Sequence, residues 1–242
     1  MTGPARIAMW SGPRNLSTAM MRAFENRADT AVVDEPFYAA FLARTGIDHP
    51  LRAEVLAAGE TDPERIAASL EGPAPGGKAI FYQKQMTHHL LADFPRGWMS
   101  GCRHAFLIRS PERVLASYAA RRAEVELADI GFIQQADLFD AIADLAGSAP
   151  PVIDAEDVLA DPGRTLAALC AALRIPFDAA MLAWPAGRRA TDGVWGPAWY
   201  EAVWRSTVFA PPSPAPPPLS GRLAEIAHAA APSYQRLARQ RL

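Results

Sequence analysis

Apolar runs rich in Ile, Val and Phe alternate along the chain with longer segments of helical periodicity, and Gly, Pro, Ser and Asp punctuate them. A repeated order of strand, polar turn and helix is the pattern of βαβ units built around a parallel sheet. Strands are expected at Arg6–Trp10, Ala31–Asp34, Ala79–Gln83, His104–Ile108 and Pro151–Ala155. Helical periodicity runs from about Leu16 to Asn26, from Ala39 to about Gly72, from about Pro111 to Gly147, and again after Asp161-Pro162. Thr87 is expected to cap a further helix, and a last one begins near Leu219. Asp62-Pro63-Glu64 supplies an N-cap and a first-turn proline, the usual chemistry of a helix start. The stretch PPSPAPPP at Pro211–Pro218 reads as extended polyproline II. The architecture expected is a three-layer α/β/α fold with a central, mainly parallel five-stranded sheet.

Composition narrows this picture in three respects. With 242 residues, half of them hydrophobic, the chain is long enough to bury a core as a single domain over 1–242. Lys and Arg total 24 against 26 Asp and Glu, so no global basic field exists to attract nucleic acid, and any anion recognition must be local. The two cysteines, Cys102 and Cys170, lie in no CxxC or Cys/His run, which argues against a disulfide scaffold or structural zinc and fits a reducing compartment. The opening MTGPARIAMWSGP holds too short an apolar stretch for a signal peptide, and no apolar run of about 18 residues follows. A cytoplasmic protein without a transmembrane segment is expected.

Candidate chemistry gathers where strands end. The first strand runs into SGPRNLST and then a helix, which places backbone N–H groups, hydroxyls and one cation at a helix N-terminus, where a phosphate is favoured. Arg14, Asn15, Ser17 and Thr18 are the candidates; an ordinary helix cap is the plain alternative. The loop lacks GxxxxGK[ST], and with it the Mg²⁺-binding hydroxyl after a lysine. In FLIRSPERVLASY, Arg109 ends the fourth strand and Ser117 sits on the first two turns of the next helix, so both can reach one phosphate at the strand ends where open α/β sheets bind ligands. Arg109 paired with Glu112, and Ser117 as a packing residue, is the competing explanation. Two anion sites together imply a bis-phosphorylated ligand.

On these residues the chain resembles the PAPS-dependent sulfotransferases, whose donor is 3'-phosphoadenosine-5'-phosphosulfate and whose fold is of the P-loop nucleotide-binding type. The family's PKSGTTW loop is similar to Pro13–Ala19, its RDPRDVxxSY segment to Arg109–Tyr118, and its EDLxxxP stretch to Glu156–Pro162. The resemblance implies that Arg14, Ser17 and Thr18 hold the 5'-phosphosulfate, and Arg109 and Ser117 the 3'-phosphate. Arg14 stands where the family has Lys, Leu16 where it has Gly, and the late RKGxxGxW stretch has only Arg188-Arg189 and Thr191–Gly196 as counterparts. These are either donor-closing residues or a basic surface loop.

The implied reaction moves a sulfuryl group from PAPS to a hydroxyl or amine acceptor by in-line displacement, leaving PAP and needing no metal. Lys84, just after the third strand, is placed to donate to the leaving phosphate, unless it is a solvated strand-end residue. His88 and His89 resemble the KTHLPxxLLP segment that carries a histidine base, but adjacent helical residues point about 100° apart, so only one imidazole would face the donor. Glu35, at the end of VVDEPF, competes as the base, as in glycosaminoglycan-type sulfotransferases; alternatively Asp34-Glu35 holds Arg14 or Arg109. The acceptor is a small molecule, carbohydrate or lipid. Competing functions are a P-loop kinase or nucleotide hydrolase, and a non-catalytic nucleotide-binding relative using the aromatic segment VWGPAWYEAVWRSTVF, whose Trp195, Trp199, Tyr200 and Trp204 are otherwise expected to pack against the sheet. A metal site at His88-His89 with Cys102 and His104 lacks a recognisable ligand spacing.

Overall fold

Strands form at all five expected places in the computed structural model of the chain, which describes residues 3–120, 124–212, 214–216 and 218–242. They are β1 (Ala5–Ser11), β2 (Thr30–Asp34), β3 (Ile80–Met86), β4 (Arg103–Ile108) and β5 (Val152–Asp154). The sheet is all-parallel in the order β2-β3-β1-β4-β5, with helices on both faces. Thr30 pairs with Ile80 through to Asp34 with Lys84, and Phe106 with Val152 through to Ile108 with Asp154. Among the described residues no helix is long and apolar enough to cross a membrane.

The chain gathers into two compact units. One comprises residues up to Met9, Thr18–Arg103 and Asp178–Phe209; the other comprises Trp10–Ser17, His104–Phe177 and Ala210–Leu242.

In the first unit, β2 is alternately buried and half-buried, whereas β3 is buried along its whole length, as a parallel strand flanked on both sides must be. Burial here includes Gln83, Lys84 and Gln85. The polarity that marks the end of the apolar run therefore lies inside the strand, which continues to Met86. Helix α1 (Ser17–Glu25) buries Met20, Met21 and Phe24, and Phe24 stacks on Tyr82 at 4.3 Å.

The region expected to be helical over Ala39–Gly72, with a helix start at Asp62-Pro63, is three helices, α2 (Tyr38–Thr45), α3 (Arg52–Ala58) and α4 (Pro63–Glu71). Gly46 stops α2 in the left-handed conformation at φ 70°, its N–H donating to Leu42 O. Asp62 caps α4 by accepting from Glu64 N, with Pro63 in the first turn, as its sequence requires. Thr87 starts a single 3-10 turn, Thr87–His89, which Leu90 N–H closes on Thr87 O without propagating into a helix.

In the second unit β4 leads into α5 (Pro111–Ala119), and the helix expected to run on to Gly147 is interrupted. Residues 121–123 lie outside the described set, Gly131 is left-handed, and α6 occupies Phe132–Ala146. After β5 follow α7 (Ala155–Ala160) and α8 (Pro162–Ala172), started by Asp161 accepting from Arg164 N. Ser213 and Pro217 of the Pro-rich segment are likewise outside the described residues.

Short helices α9 (Gly196–Trp199) and α10 (Glu201–Arg205) complete the late part of the first unit, and α11 (Gly221–Ala238) ends the second. Trp195 and Tyr200 are buried against Tyr38, Phe41 and Leu42 of α2 and Val55 of α3, and Tyr200 also meets the ends of β2 and β3. Ile226, Ala227 and Ala230 of α11 pack on Val114, Leu115 and Tyr118 of α5.

Asp154 secures the second unit at the end of β5. Its Oδ1 accepts from Glu156 N to cap α7, and its Oδ2 accepts from the Tyr234 hydroxyl at 2.7 Å. Asp154→Ala is expected to cost about 3 kcal/mol in urea unfolding, the sum of a lost cap and a lost buried charge-assisted bond. Asp154→Asn, which keeps the cap oxygen, should lose less.

Candidate functional site

The loop after β1 is held in a backbone shape that ordinary residues avoid. Arg14 has φ 57° and Leu16 φ 45°, each costing about 1–3 kcal/mol for a residue with a Cβ. Such conformations persist only where the surroundings dictate them, and the bonds that do so come from β4 and α5. Asn15 Nδ2 donates to Leu107 O at 2.6 Å, Arg109 Nη1 donates to Arg14 O at 3.1 Å, and Arg14 Nε donates to Ser117 Oγ at 2.9 Å. Gly12 is required here, since a Cβ would lie 2.9 Å from Ile130 O. Left-handed residues on either side of Asn15 suit a backbone nest, in which successive N–H groups turn toward one anion. Ser17 and Thr18 open α1 and are both buried.

Arg14 and Ser117, expected at opposite ends of a bis-phosphate, are thus bonded to each other. Arg109 joins them from the end of β4. Glu156 Oε1 lies 3.5 Å from Arg109 Nε and 3.1 Å from Arg113 Nε, so the EDVLADP segment supplies a counter-ion to this arginine group. Burial pulls the Arg109 pKa below its ordinary value against the opposing pull of Glu156, yet a guanidinium remains charged. The cluster can take a dianion by the bidentate geometry of arginine.

A second polar centre lies within the other unit, around Lys84. Its side chain is 1% exposed, and Nζ donates to Asp34 Oδ1 at 2.8 Å, Glu35 Oε1 at 2.7 Å and the Tyr200 hydroxyl at 2.6 Å. All three ammonium protons have partners. Tyr200 in turn donates to Asp34 Oδ2 at 2.8 Å and accepts from Trp195 Nε1 at 2.8 Å, and Gly193 N donates to Asp34 Oδ2. The acidic pair Asp34-Glu35 therefore holds Lys84.

Burial is the largest influence on each charge here. It raises the Glu35 carboxyl above its ordinary 4.5, a shift that Lys84 opposes and Asp34 reinforces. Burial would lower Lys84, but the two carboxylates outweigh it and set the ammonium above its ordinary value. Glu35 is itself left-handed, at φ 42°.

The imidazoles lie beside this centre. His89 Nδ1 is 3.7 Å from Glu35 Oε2, and the ring stacks on Tyr38 at 4.6 Å and on Phe41 at 4.8 Å. His88 meets His89 edge-on. Burial pushes His88 down to about 3, with His49 adding to the effect, and drives His89 well below the usual imidazole range.

The late arginines are held within their own loop. Arg188 lies over the Trp204 ring at 4.3 Å, and Arg189 Nη2 donates to Pro185 O. Asp192 anchors that loop by accepting from Arg189 N and Trp204 Nε1 and pairing with the buried Arg22 of α1. Among the described residues no group of three or more His, Cys, Asp or Glu side chains is placed to hold a metal ion.

Comparison with known proteins decides the family, because the sulfotransferase domain family matches residues 5–241. The chain belongs to the sulfotransferase domain family. Two curated relatives from Arabidopsis thaliana are called branched-chain-amino-acid aminotransferase-like proteins 1 and 2. They are 40% identical over 216 residues and 38% identical over 210, covering 89% and 87% of this chain but only 38% and 37% of their own lengths. Among solved structures, the sulfotransferase domain from the curacin biosynthetic pathway is 16% identical with a TM-score of 0.55, covering 96% of this chain and 99% of that one. A sulfotransferase from Alicyclobacillus acidocaldarius is 13% identical with a TM-score of 0.55, covering 99% and 96%. At these identities the solved structures show the fold.

In this sulfotransferase domain, Tyr200, Trp195, Gly193 and the Arg22–Asp192 pair were not recognised as parts of a polar site from sequence. The aromatic spacing of VWGPAWY does mark burial, and nothing in it signals a hydroxyl aimed at a carboxylate. Lys84→Met is expected to destabilise the fold by about 3–5 kcal/mol in urea unfolding, because it strands two buried carboxylates. A folded pKa raised above the unfolded one means that Glu35 contributes stability below its ordinary 4.5, which is lost as pH rises through the raised value. Glu35→Gln should remove that decline from the stability profile.

Proposed function

We propose that the protein transfers a sulfuryl group from PAPS to a hydroxyl or amine acceptor by in-line displacement. The observation that carries this reading is the hydrogen-bonded group of Arg14, Ser117 and Arg109 on a strained loop that has no GK[ST]. Two guanidiniums and a hydroxyl suit the phosphates of a bis-phosphorylated nucleotide. The residues fit such a donor: the left-handed Arg14 and Leu16 flank Asn15 in a nest whose N–H groups can donate to one anion. Asn15, Ser17 and Thr18 would complete the cradle with the loop's backbone N–H groups. The donor supplies the sulfuryl group; the chain's own part is to hold its phosphates and to take a proton.

Glu35 is the residue assigned to the proton. A base works best with a pKa near the operating pH, and burial moves Glu35 upward while it holds His88 near 3 and His89 well below the usual imidazole range. Lys84, with all its protons engaged, is assigned to fixing Glu35 and not to the leaving phosphate. Arg188 and Arg189 are assigned to shaping the late loop. The curated relatives are named aminotransferase-like; aminotransferase chemistry needs a lysine amine able to form an imine with its cofactor, and the raised, triply engaged Lys84 does not favour it.

Binding of 3',5'-bisphosphoadenosine tests the assignment. Arg14→Ala and Arg109→Ala should each weaken it by about tenfold or more, while Glu35→Gln should leave it unchanged and lower turnover by about 10²–10⁴-fold. Unchanged affinity in both arginine variants overturns the reading. Thermal stabilisation by ATP with Mg²⁺ and not by the bisphosphate would favour a kinase or nucleotide hydrolase instead.

A further inference from the structure

Glu35 Oε1 accepts from Lys84 Nζ at 2.7 Å, which leaves Oε2 as the oxygen available for chemistry. Opposite it, at 3.7 Å, is Nδ1 of His89, a nitrogen buried without a hydrogen-bond partner. The separation is too long for a direct bond. An oxygen about 2.8 Å from each would close a triangle on that edge. The stacking of Tyr38 and Phe41 on the imidazole leaves it little rotational freedom, so the Nδ1 edge is held in this direction. A carboxylate at that edge also selects the tautomer with its proton on Nδ1.

We propose, resting on the sulfuryl-transfer reading, that Glu35 Oε2 and His89 Nδ1 together seat the acceptor atom and select an alcohol oxygen over an amine nitrogen. The acceptor O–H bond breaks and its proton passes to Glu35 Oε2. One oxygen lone pair forms the new O–S bond, while the S–O bond to the phosphate of the phosphosulfate donor breaks and its electron pair leaves with that phosphate. The second oxygen lone pair accepts from His89 Nδ1–H throughout. A neutral amine has a single lone pair, and attack on sulfur consumes it, so the buried His89 donor would lose its partner as the reaction proceeds. His89 on this account is a hydrogen-bond donor to the nucleophile and not its base. Its strongly depressed basicity fits that role, since a neutral imidazole keeps one N–H to donate.

The decisive measurement is ¹⁵N NMR of histidine-labelled protein with 3',5'-bisphosphoadenosine bound, His89 being assigned by its disappearance in His89→Gln. A neutral ring protonated at Nδ1 is expected; a ring protonated at Nε2 alone, or at both nitrogens at neutral pH, overturns the proposal. As a second readout, matched phenol and aniline are compared as acceptors with PAPS, and the phenol should be favoured by about ten- to hundredfold. Equal or faster sulfuryl transfer to aniline also overturns it. Loss of stabilisation by the bisphosphate nucleotide would count against the sulfuryl-transfer reading, whereas a wrong tautomer with nucleotide bound counts against the His89 assignment alone.

Discussion

A lysine ammonium taken out of water between two carboxylates is the constraint that organises the unit built from β2, β3 and the late segment. Burial of each ion costs several kcal/mol, and attraction between them compensates only when the remaining hydrogen-bond sites are filled as well. Lys84 fills Asp34 Oδ1 and Glu35 Oε1. Asp34 Oδ2 is left for Tyr200 and Gly193, which come from the other end of the sequence. A Cβ on Gly193 would fall 2.2 Å from the Trp195 ring whose indole bonds Tyr200, so the close approach and the polar network need each other.

Three of the five left-handed non-glycine residues among the described residues fall at the candidate chemistry, the others being Leu51 and Arg174. Arg14, Leu16 and Glu35 are left-handed, and each follows directly on the end of a strand or lies in the loop after one. An extended continuation would carry Glu35 onward in the strand direction; instead its N–H still bonds Lys84 O while its own carbonyl accepts from Tyr38 N to begin α2. The positive φ is the turn between those two commitments. Leu16 shows the same logic at the first loop: the related motif has glycine there, and the backbone keeps a glycine-like angle although the side chain has changed.

Much of the fold was legible because parallel strands and amphipathic helices have distinct periods, and β1, β2, β4, β5 and the Asp62 and Asp161 helix starts lie close to where the pattern places them. The end of β3 was hidden by its own chemistry: Gln83, Lys84 and Gln85 look like an exit to solvent, and tertiary partners such as those of Lys84 and the Leu70 carbonyl that accepts from Gln83 make such a run tolerable inside a sheet. The polar loop after β1, Arg109 at the end of β4 and Ser117 on the helix after it were legible as residue types. Their contact with each other was not, since side-chain direction depends on the left-handed Arg14 backbone. Tyr200 was invisible as a polar residue because its spacing from Trp195, Trp199 and Trp204 is also what packing alone would produce.

The exchange of lysine for arginine at residue 14 follows from that contact. A lysine presents one compact charge at the end of a flexible stem, so a hydroxyl and an anion would compete for the same ammonium. A guanidinium separates these tasks along a rigid plane: Nε engages Ser117 Oγ and fixes the plane, while the charge is spread to the terminal nitrogens further out. The strained backbone at Arg14 is what aims the side chain at α5, and the Arg109 bond to Arg14 O is what holds that backbone. Position 14 thus depends on Arg109 for its conformation and on Ser117 for its orientation, so these three residues are coupled and their substitutions should not act additively.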